Sequence, residues 1–398
     1  MKIHLLCAAL VAGSVTGSGS ARAQQAATIT GTVFIDANGN GVRDPGERGV
    51  ANVAVSNQDA VVTTDASGAY RLPVGSTGVV FVSVPDGYRA VGGFWRSVAR
   101  AAPVMDFPLT PAKRATVFTF IHASDTHVAP PVLARTQRLR ALSDSLNPAF
   151  VIVTGDLVRD ALRVGEPEAT GYYEMFGREA ALFRSPVWTV PGNHENFGIE
   201  RAKSHVEATN PLYGRSMYHH FRGPDYYSFT FGGVHFVGLN SVDIDDQWYY
   251  GHVDSLQLEW LRRDLALVPA TTPVVTFNHI PFFTSLDAMG GYNDEPPAPS
   301  LITVHGKTQY RHTVANAGDV LAILRKHKHV LALGGHLHAG ERLEYEIDGV
   351  KTRFNQAPAI VGPSEDASMS FPSGFTLYTV RNGVIDAGRF IPLGMDHK

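Results

Sequence analysis

Val117-Phe118-Thr119-Phe120-Ile121-His122-Ala123-Ser124-Asp125-Thr126-His127 is a run of β-branched and aromatic residues that ends in a polar cluster. The pattern predicts a strand over 117–123 that delivers Asp125 and His127 from its carboxyl end. It recurs along the chain. Residues 150–154 deliver Gly155 and Asp156, and residues 187–190 deliver Gly192-Asn193-His194-Glu195. Residues 273–277 deliver His279, and residues 330–333 deliver Gly335, His336 and His338. Helical patterns lie between these runs at 133–146, 168–183, 255–267 and 316–327. Alternating strand and helix argues for a layered α/β domain, in which ligands collect at the carboxyl edge of a sheet. Glycines at the clusters permit tight turns and close backbone approach.

Taken singly, an Asp-x-His or a Gly-Asp reads equally well as a turn. Together the clusters gather carboxylates, imidazoles and one amide oxygen, the donor set of manganese, iron or zinc. Their order resembles the calcineurin-like metallophosphoesterase family, with a counterpart at every motif position. The resemblance implies a four-layer α-β-β-α sandwich. It also implies two transition-metal ions, one held by Asp125, His127, Asp156 and His338 and the other by Asp156, Asn193, His279 and His336. Asp156 is then the bridge, because a carboxylate has two oxygens to share. Such a pair generates hydroxide near neutral pH and clamps a phosphoryl group. His194 is the unliganded imidazole that serves the leaving oxygen, and Glu195 either orients the turn or a neighbouring ligand or forms a salt bridge. The expected activity is hydrolysis of a small phosphomonoester or phosphodiester. Purple acid phosphatases share Gly192-Asn193-His194-Glu195 but place tyrosine where this chain has Arg159, and they lack the histidine found here at 127. The phosphodiesterase and protein-phosphatase-like branches are the better match.

Other residues are read more locally. Arg159 is a candidate phosphate contact, or else an ion-pair partner of Asp160 or Glu166. Residues 211–225, rich in tyrosine, read as an irregular lid in which His219 and His220 are candidate substrate contacts. His327 and His329 read as surface residues beside Lys326 and Lys328, and His122 reads as packed in the core. Residues 282–313 read as a long irregular insertion that selects substrate.

Residues 28–111 form a separate unit of short β-type runs divided by Gly, Asn and Asp turns, expected as a small all-β sandwich accessory module. It resembles immunoglobulin-like or prealbumin-like modules. Within it, Asp36, Asn38, Asn40, Asp44 and Glu47 have the spacing of a calcium loop, with Gly41 at the sixth position. A polar hairpin loop closed by side-chain hydrogen bonds fits the same residues. The catalytic domain is expected over 113–398, with hairpins at Asp348-Gly349 and Asn382-Gly383.

Residues 1–23 read as a secretory signal peptide: Lys2, a short apolar core, and Ala21-Arg22-Ala23 as a cleavage site. The expected location is therefore the periplasm or outside the cell. The apolar stretch is too short to span a bilayer. Cys7, the one cysteine of the chain, falls inside it, so the mature protein has no disulfide. A net charge of −3 without a basic run argues against a nucleic-acid groove. Two alternatives stay open: a cell-surface binding protein with an inactive phosphoesterase domain, and a metal-dependent nuclease.

Overall fold

The computed structural model describes residues 28–98, 104–286, 299–347, 349–362 and 371–396. The expected signal peptide and Cys7 lie outside them, as do most of 282–298 and Asp348 of one hairpin dipeptide. Among the described residues no helix is long and apolar enough to cross a membrane.

Two six-stranded sheets carry the larger part of the chain. The first runs in the order Val187–Val190, Phe150–Thr154, Val117–Ala123, Gly374–Arg381 and Val384–Ile385, with Arg389–Pro392 also on Gly374–Arg381. Its first three strands are parallel, so their carboxyl ends share one edge. The second runs Tyr227–Phe231, Val234–Gly238, Pro273–Phe277, Lys328–Gly334, Val350–Gln356 and Glu341–Ile347. Pro273–Phe277 and Lys328–Gly334 are parallel and end together.

The sheets face each other through aromatic rings. Phe120 stacks on Phe150 at 5.4 Å and meets Phe236 edge-on at 5.5 Å, while Phe150 meets Phe229 at 5.4 Å. Helices Leu133–Leu146 and Glu166–Ala181 cover the outer face of the first sheet, packing Leu139, Tyr173 and Phe176 on Ile121, Val151 and Val153. Ser255–Leu265 and Ala317–Leu324 cover the second, adding Trp260, Leu261, Val320 and Leu324 to the core that holds Val274 and Leu331. The expected four layers are present.

Ahead of them stand two four-stranded sheets. One is ordered Ala69–Pro73, Thr28–Ile35, Phe107–Pro111, Tyr88–Ala90 and the other Val61–Thr63, Ala54–Ser56, Val79–Val82, Trp95–Ser97. This strand-rich region does not stand apart. Phe94 sits 4.8 Å from Trp188 and 4.9 Å from Tyr227, Val84 bridges Phe229, and Asp86 accepts from the Gly232 N–H at 2.8 Å. Its apolar core is continuous with that of the larger sheets.

Three expectations are corrected. Residues 211–225 are not irregular throughout: Arg215–Arg222 is a helix, flanked by Gly214 and Gly223 at φ +62° and +88°. Eight residues hold too little periodicity to announce a helix, and packing of Met217 and Tyr218 decides it. The insertion after His279 contains a hairpin, Leu301–Val304 with Lys307–Tyr310, turning at His305-Gly306 with both φ positive. His329 is buried rather than superficial: its strand begins at Lys328, and its Nε2 meets Thr276 Oγ1 at 3.0 Å across the ladder. His122 is buried as expected, against Thr154 Oγ1 at 3.0 Å.

Candidate metal centre

The strand ends bring Asp125, His127, Asp156, Asn193, His279, His336 and His338 into one cluster. Asp125, His127 and His338 form one group of closely spaced donor atoms, and Asp156, His279 and His336 form another. A third group joins His127, Asp156 and His194. Between them stands the Asp156 carboxylate. Its Oδ2 lies 3.5 Å from His127 Nε2, and its Oδ1 lies 3.3 Å from His279 Nε2. His338 Nε2 is 3.3 Å from Asp125 Oδ1 and 3.3 Å from His127 Nε2. Asn193 Oδ1 is 3.1 Å from His279 Nε2, and His336 Nδ1 is 3.2 Å from that same nitrogen.

The backbone bends sharply to achieve this. Asp125, His127, Asp156, His336 and His338 have φ of +56°, +39°, +48°, +74° and +53°. Left-handed conformations are uncommon away from glycine, cost of order 1–3 kcal/mol each, and collect at functional sites. Two glycines make room. A Cβ on Gly192 would stand 2.2 Å from Asp156 Oδ1, and one on Gly335 would stand 1.9 Å from Ser124 Oγ and 2.8 Å from Asp125 Oδ2.

Several imidazoles have assigned protons. His279 Nδ1 lies 2.7 Å from the Thr154 carbonyl and His194 Nδ1 lies 2.7 Å from the Arg159 carbonyl. A carbonyl only accepts, so each Nδ1 carries the proton and each Nε2 is turned to the cluster. Burial opposes charging of His279, but Asp156, then Asp125, raise it to about 9. Burial and then the neighbouring His194 hold His127 down to about 4. Burial works against the Asp156 carboxylate, yet His279 and His194 keep it well below the usual range.

These residues fit divalent metal. Asp125 Oδ1 is buried with no hydrogen-bond partner, a state that is costly unless a cation completes it. Imidazole nitrogens stand 3.2 Å apart at His336 and His279 and 3.3 Å apart at His338 and His127, so lone pairs crowd together beside the carboxylates.

Residues 118–340 match the family described as calcineurin-like phosphoesterase, and residues 37–111 match the N-terminal region of calcineurin-like phosphoesterase. The chain belongs to the calcineurin-like phosphoesterase family. It is an enzyme acting on phosphate ester bonds, in a family that uses divalent metal ions. The 3',5'-cyclic adenosine monophosphate phosphodiesterase CpdA of Escherichia coli (strain K12) is 24% identical over 248 residues, 59% of this chain and 67% of that one. Purple acid phosphatase 15 of Arabidopsis thaliana is 26% identical over 185 residues, 44% of this chain and 30% of that one. Among solved structures, GAP50, the anchor in the inner membrane complex of Plasmodium, is 13% identical. It covers 71% of this chain and 86% of its own with a TM-score of 0.42.

The remaining candidates divide. Arg159 is exposed beside the cluster, and neither expected ion pair forms: Asp160 binds Arg163 at 3.1 Å and Glu166 accepts from Asn210 at 2.8 Å. His219 and His220 are not brought to the cluster. They line a cleft of about 540 Å³ against the strand-rich region, and His219 Nε2 meets Asp225 Oδ1 at 3.0 Å. The helix turns them away from the strand ends, which proximity in sequence could not reveal.

Asp36, Asn38, Asn40, Asp44 and Glu47 come together as a loop held by its own donors. Asp36 accepts from Gly39 and Gly41 N–H at 2.7 and 2.8 Å, and Glu47 accepts from Ala37 and Asp44 N–H. The Asn38 and Asn40 amide nitrogens both donate to Asp44 Oδ2, at 2.7 and 2.9 Å.

Sequence reasoning missed His312, whose Nδ1 lies 2.7 Å from His336 Nε2. Burial, then the adjacent Arg311, hold His312 down to about 4. No motif contained it. The only signal was a histidine inside the insertion that begins at His279.

Proposed function

We propose that the protein is an exported hydrolase of a small phosphodiester or phosphomonoester, working through two metal ions. Asp125, His127, Asp156 and His338 would hold one ion, and Asp156, Asn193, His279 and His336 the other. One observation carries this reading: the buried Asp156 carboxylate divides its oxygens between two groups of imidazoles, at 3.5 and 3.3 Å. A single-ion site would have no use for that division. When bound, the ions withdraw charge from the phosphoryl oxygens and activate water near neutral pH. The donor set suits manganese, iron or zinc.

The chain's own groups supply the rest. His194, with Nδ1–H anchored on the Arg159 carbonyl, presents Nε2 on the Asp156 side, 3.8 Å from Oδ2. As the imidazolium, with a proton on each ring nitrogen, it donates through Nε2 to the leaving oxygen or to the charge that builds on it. The Arg159 guanidinium, free of the expected ion pairs, contacts a phosphate oxygen from the open side. The strand-rich region supports the larger sheets and, among the described residues, adds no donor to the cluster. A relative named for cyclic adenosine monophosphate makes cyclic nucleotides the first substrates to try.

The test is a screen of the purified chain, reconstituted with manganese, against cyclic nucleotides, bis-phosphodiesters, monoesters and phospholipid head groups. Turnover of a small ester that stops when metal is stripped supports the proposal. Two bound ions without turnover of any ester would favour the binding-protein alternative. Salt-sensitive cleavage of DNA would favour the nuclease. Export is tested by sequencing the amino terminus of the protein recovered outside the cytoplasm, where cleavage after Ala23 is expected.

A further inference from the structure

The two ring nitrogens of His336 face different surroundings. Nδ1 is turned to the cluster, 3.2 Å from His279 Nε2 and grouped with Asp156. Nε2 points the other way and meets His312 Nδ1 at 2.7 Å. The two rings lie edge to edge, with centroids 4.9 Å apart and planes at 29°, as a bond between ring nitrogens requires. Tyr249 meets the His336 ring edge-on at 5.7 Å, and the Arg311 guanidinium lies 4.0 Å over Tyr249. Tyr249 and Tyr310 also meet the His312 ring edge-on, at 6.4 and 5.4 Å, so His312 is packed in place.

A hydrogen bond between two neutral imidazoles needs one N–H and one lone pair, so two arrangements exist. If His312 donates, His336 carries its own proton on Nδ1, aimed into the cluster where a ligand atom is needed. If His336 donates through Nε2, its Nδ1 keeps the lone pair. We propose that His312 is a positioning residue, accepting the Nε2 proton of His336 and so fixing the tautomer and ring orientation that make His336 Nδ1 a metal ligand. This rests on the two-ion reading above. Ligand histidines commonly hand their second N–H to a carboxylate or carbonyl, as His279 does with Thr154 here. For His336 that acceptor is another imidazole, 24 residues away in sequence.

His312→Leu removes the acceptor at similar bulk, and His312→Asn places an amide oxygen near the position of Nδ1. The first readout is manganese affinity by chelator competition. The Leu variant is expected to lose about 10- to 100-fold at one of two equivalents, with the other unchanged, and the Asn variant to recover most of the loss. The second readout needs no metal: nitrogen NMR of labelled histidine should show the His336 proton on Nε2 in the wild type, and a shifted tautomer balance in the Leu variant. Unchanged affinity in the Leu variant overturns the proposal. So does an Asn variant as weak as Leu, which would leave packing alone, or outright loss of one equivalent in both variants, which would make His312 a ligand. If the Leu variant does not fold, the Asn variant and the wild-type NMR decide. A wild type that takes up no metal sinks the two-ion reading, while a His336 proton found on Nδ1 sinks this one separately.

Discussion

Replacing Glu195 by Gln changes one atom and should damage two turns. The side chain is buried, and its oxygens accept four backbone N–H groups. Oε1 takes Leu157 and Val158 at 2.8 and 3.0 Å, and Oε2 takes Asp156 and Gly192 at 2.9 and 2.5 Å. The donors belong to the turn that carries Asp156 and the turn that carries Asn193 and His194, so Glu195 ties the two together. Burial, then the nearby Asp156, push its carboxyl up to about 8, against the pull of the Val158 and Gly192 N–H groups. The contacts favour the carboxylate, since four converging donors leave a carboxyl proton nothing to bond. In that form the Gln NH₂ would confront two N–H groups, each losing its acceptor at about 1–3 kcal/mol, for a loss of about 2–6 kcal/mol. A protonated Glu195 would be nearly isosteric with Gln, and the loss would then be under about 1 kcal/mol. The assay is urea unfolding of both metal-free proteins, followed by circular dichroism from pH 5 to 9. A folded-state value near 8, against about 4.3 unfolded, would make stability fall as pH rises between those limits. The carboxylate form gives no such fall. A variant as stable as wild type at pH 7, or a wild-type decline across that window that Gln abolishes, would refute the reasoning.

Three further outcomes follow from the geometry. Asp225 is buried among His219, Gln58 and Asn240, and although burial opposes its charge, His219 and Arg215 hold it well below the usual carboxylate range. Its contribution is present above about pH 4 and lost as pH falls below that, so Asp225→Asn should cost about 3 kcal/mol at pH 7 and less in acid. An unchanged urea midpoint would contradict this. Gly335→Ala puts a methyl against Ser124 and Asp125 and should lower metal content in elemental analysis while leaving circular dichroism native. Retention of full metal would count against the cradle. His194→Ala should cut turnover by roughly 10²–10⁴-fold with metal content near wild type, and less for esters with very acidic leaving groups. Loss of metal would make His194 a ligand instead.

Much of this fold is legible in the sequence because strands and their polar ends coincide. The runs at 117–123, 150–154, 187–190 and 273–277 are strands with those limits. The first three hand their clusters to one edge of the first sheet, and the fourth brings His279 to Asp156 from the second. For Glu195 the sequence left an orienting role and a salt bridge equally open, and the four backbone N–H groups that converge on it supply the first. What stayed hidden depends on contacts remote in sequence. The left-handed turns at His336 and His338 leave no mark in composition. Helix Arg215–Arg222 is too short to show a period, and its orientation decides that His219 faces Asp225 and not the cluster. His312 acts through a contact between a hairpin and a strand end, which no spacing rule reaches. The strand-rich region was legible as strands, but its fusion to the core through Phe94, Val84 and Asp86 was not.

The central claim is that Asp156 joins two ions in one phosphoesterase site. Elemental analysis of wild type and Asp156→Asn, reconstituted side by side with manganese and assayed on a small phosphodiester, tests it most directly. The account predicts close to two equivalents and metal-dependent turnover in the wild type, with loss of both ions or of their coupling, and of turnover, in the variant. An Asp156→Asn protein that keeps two tightly held ions and full activity would contradict it.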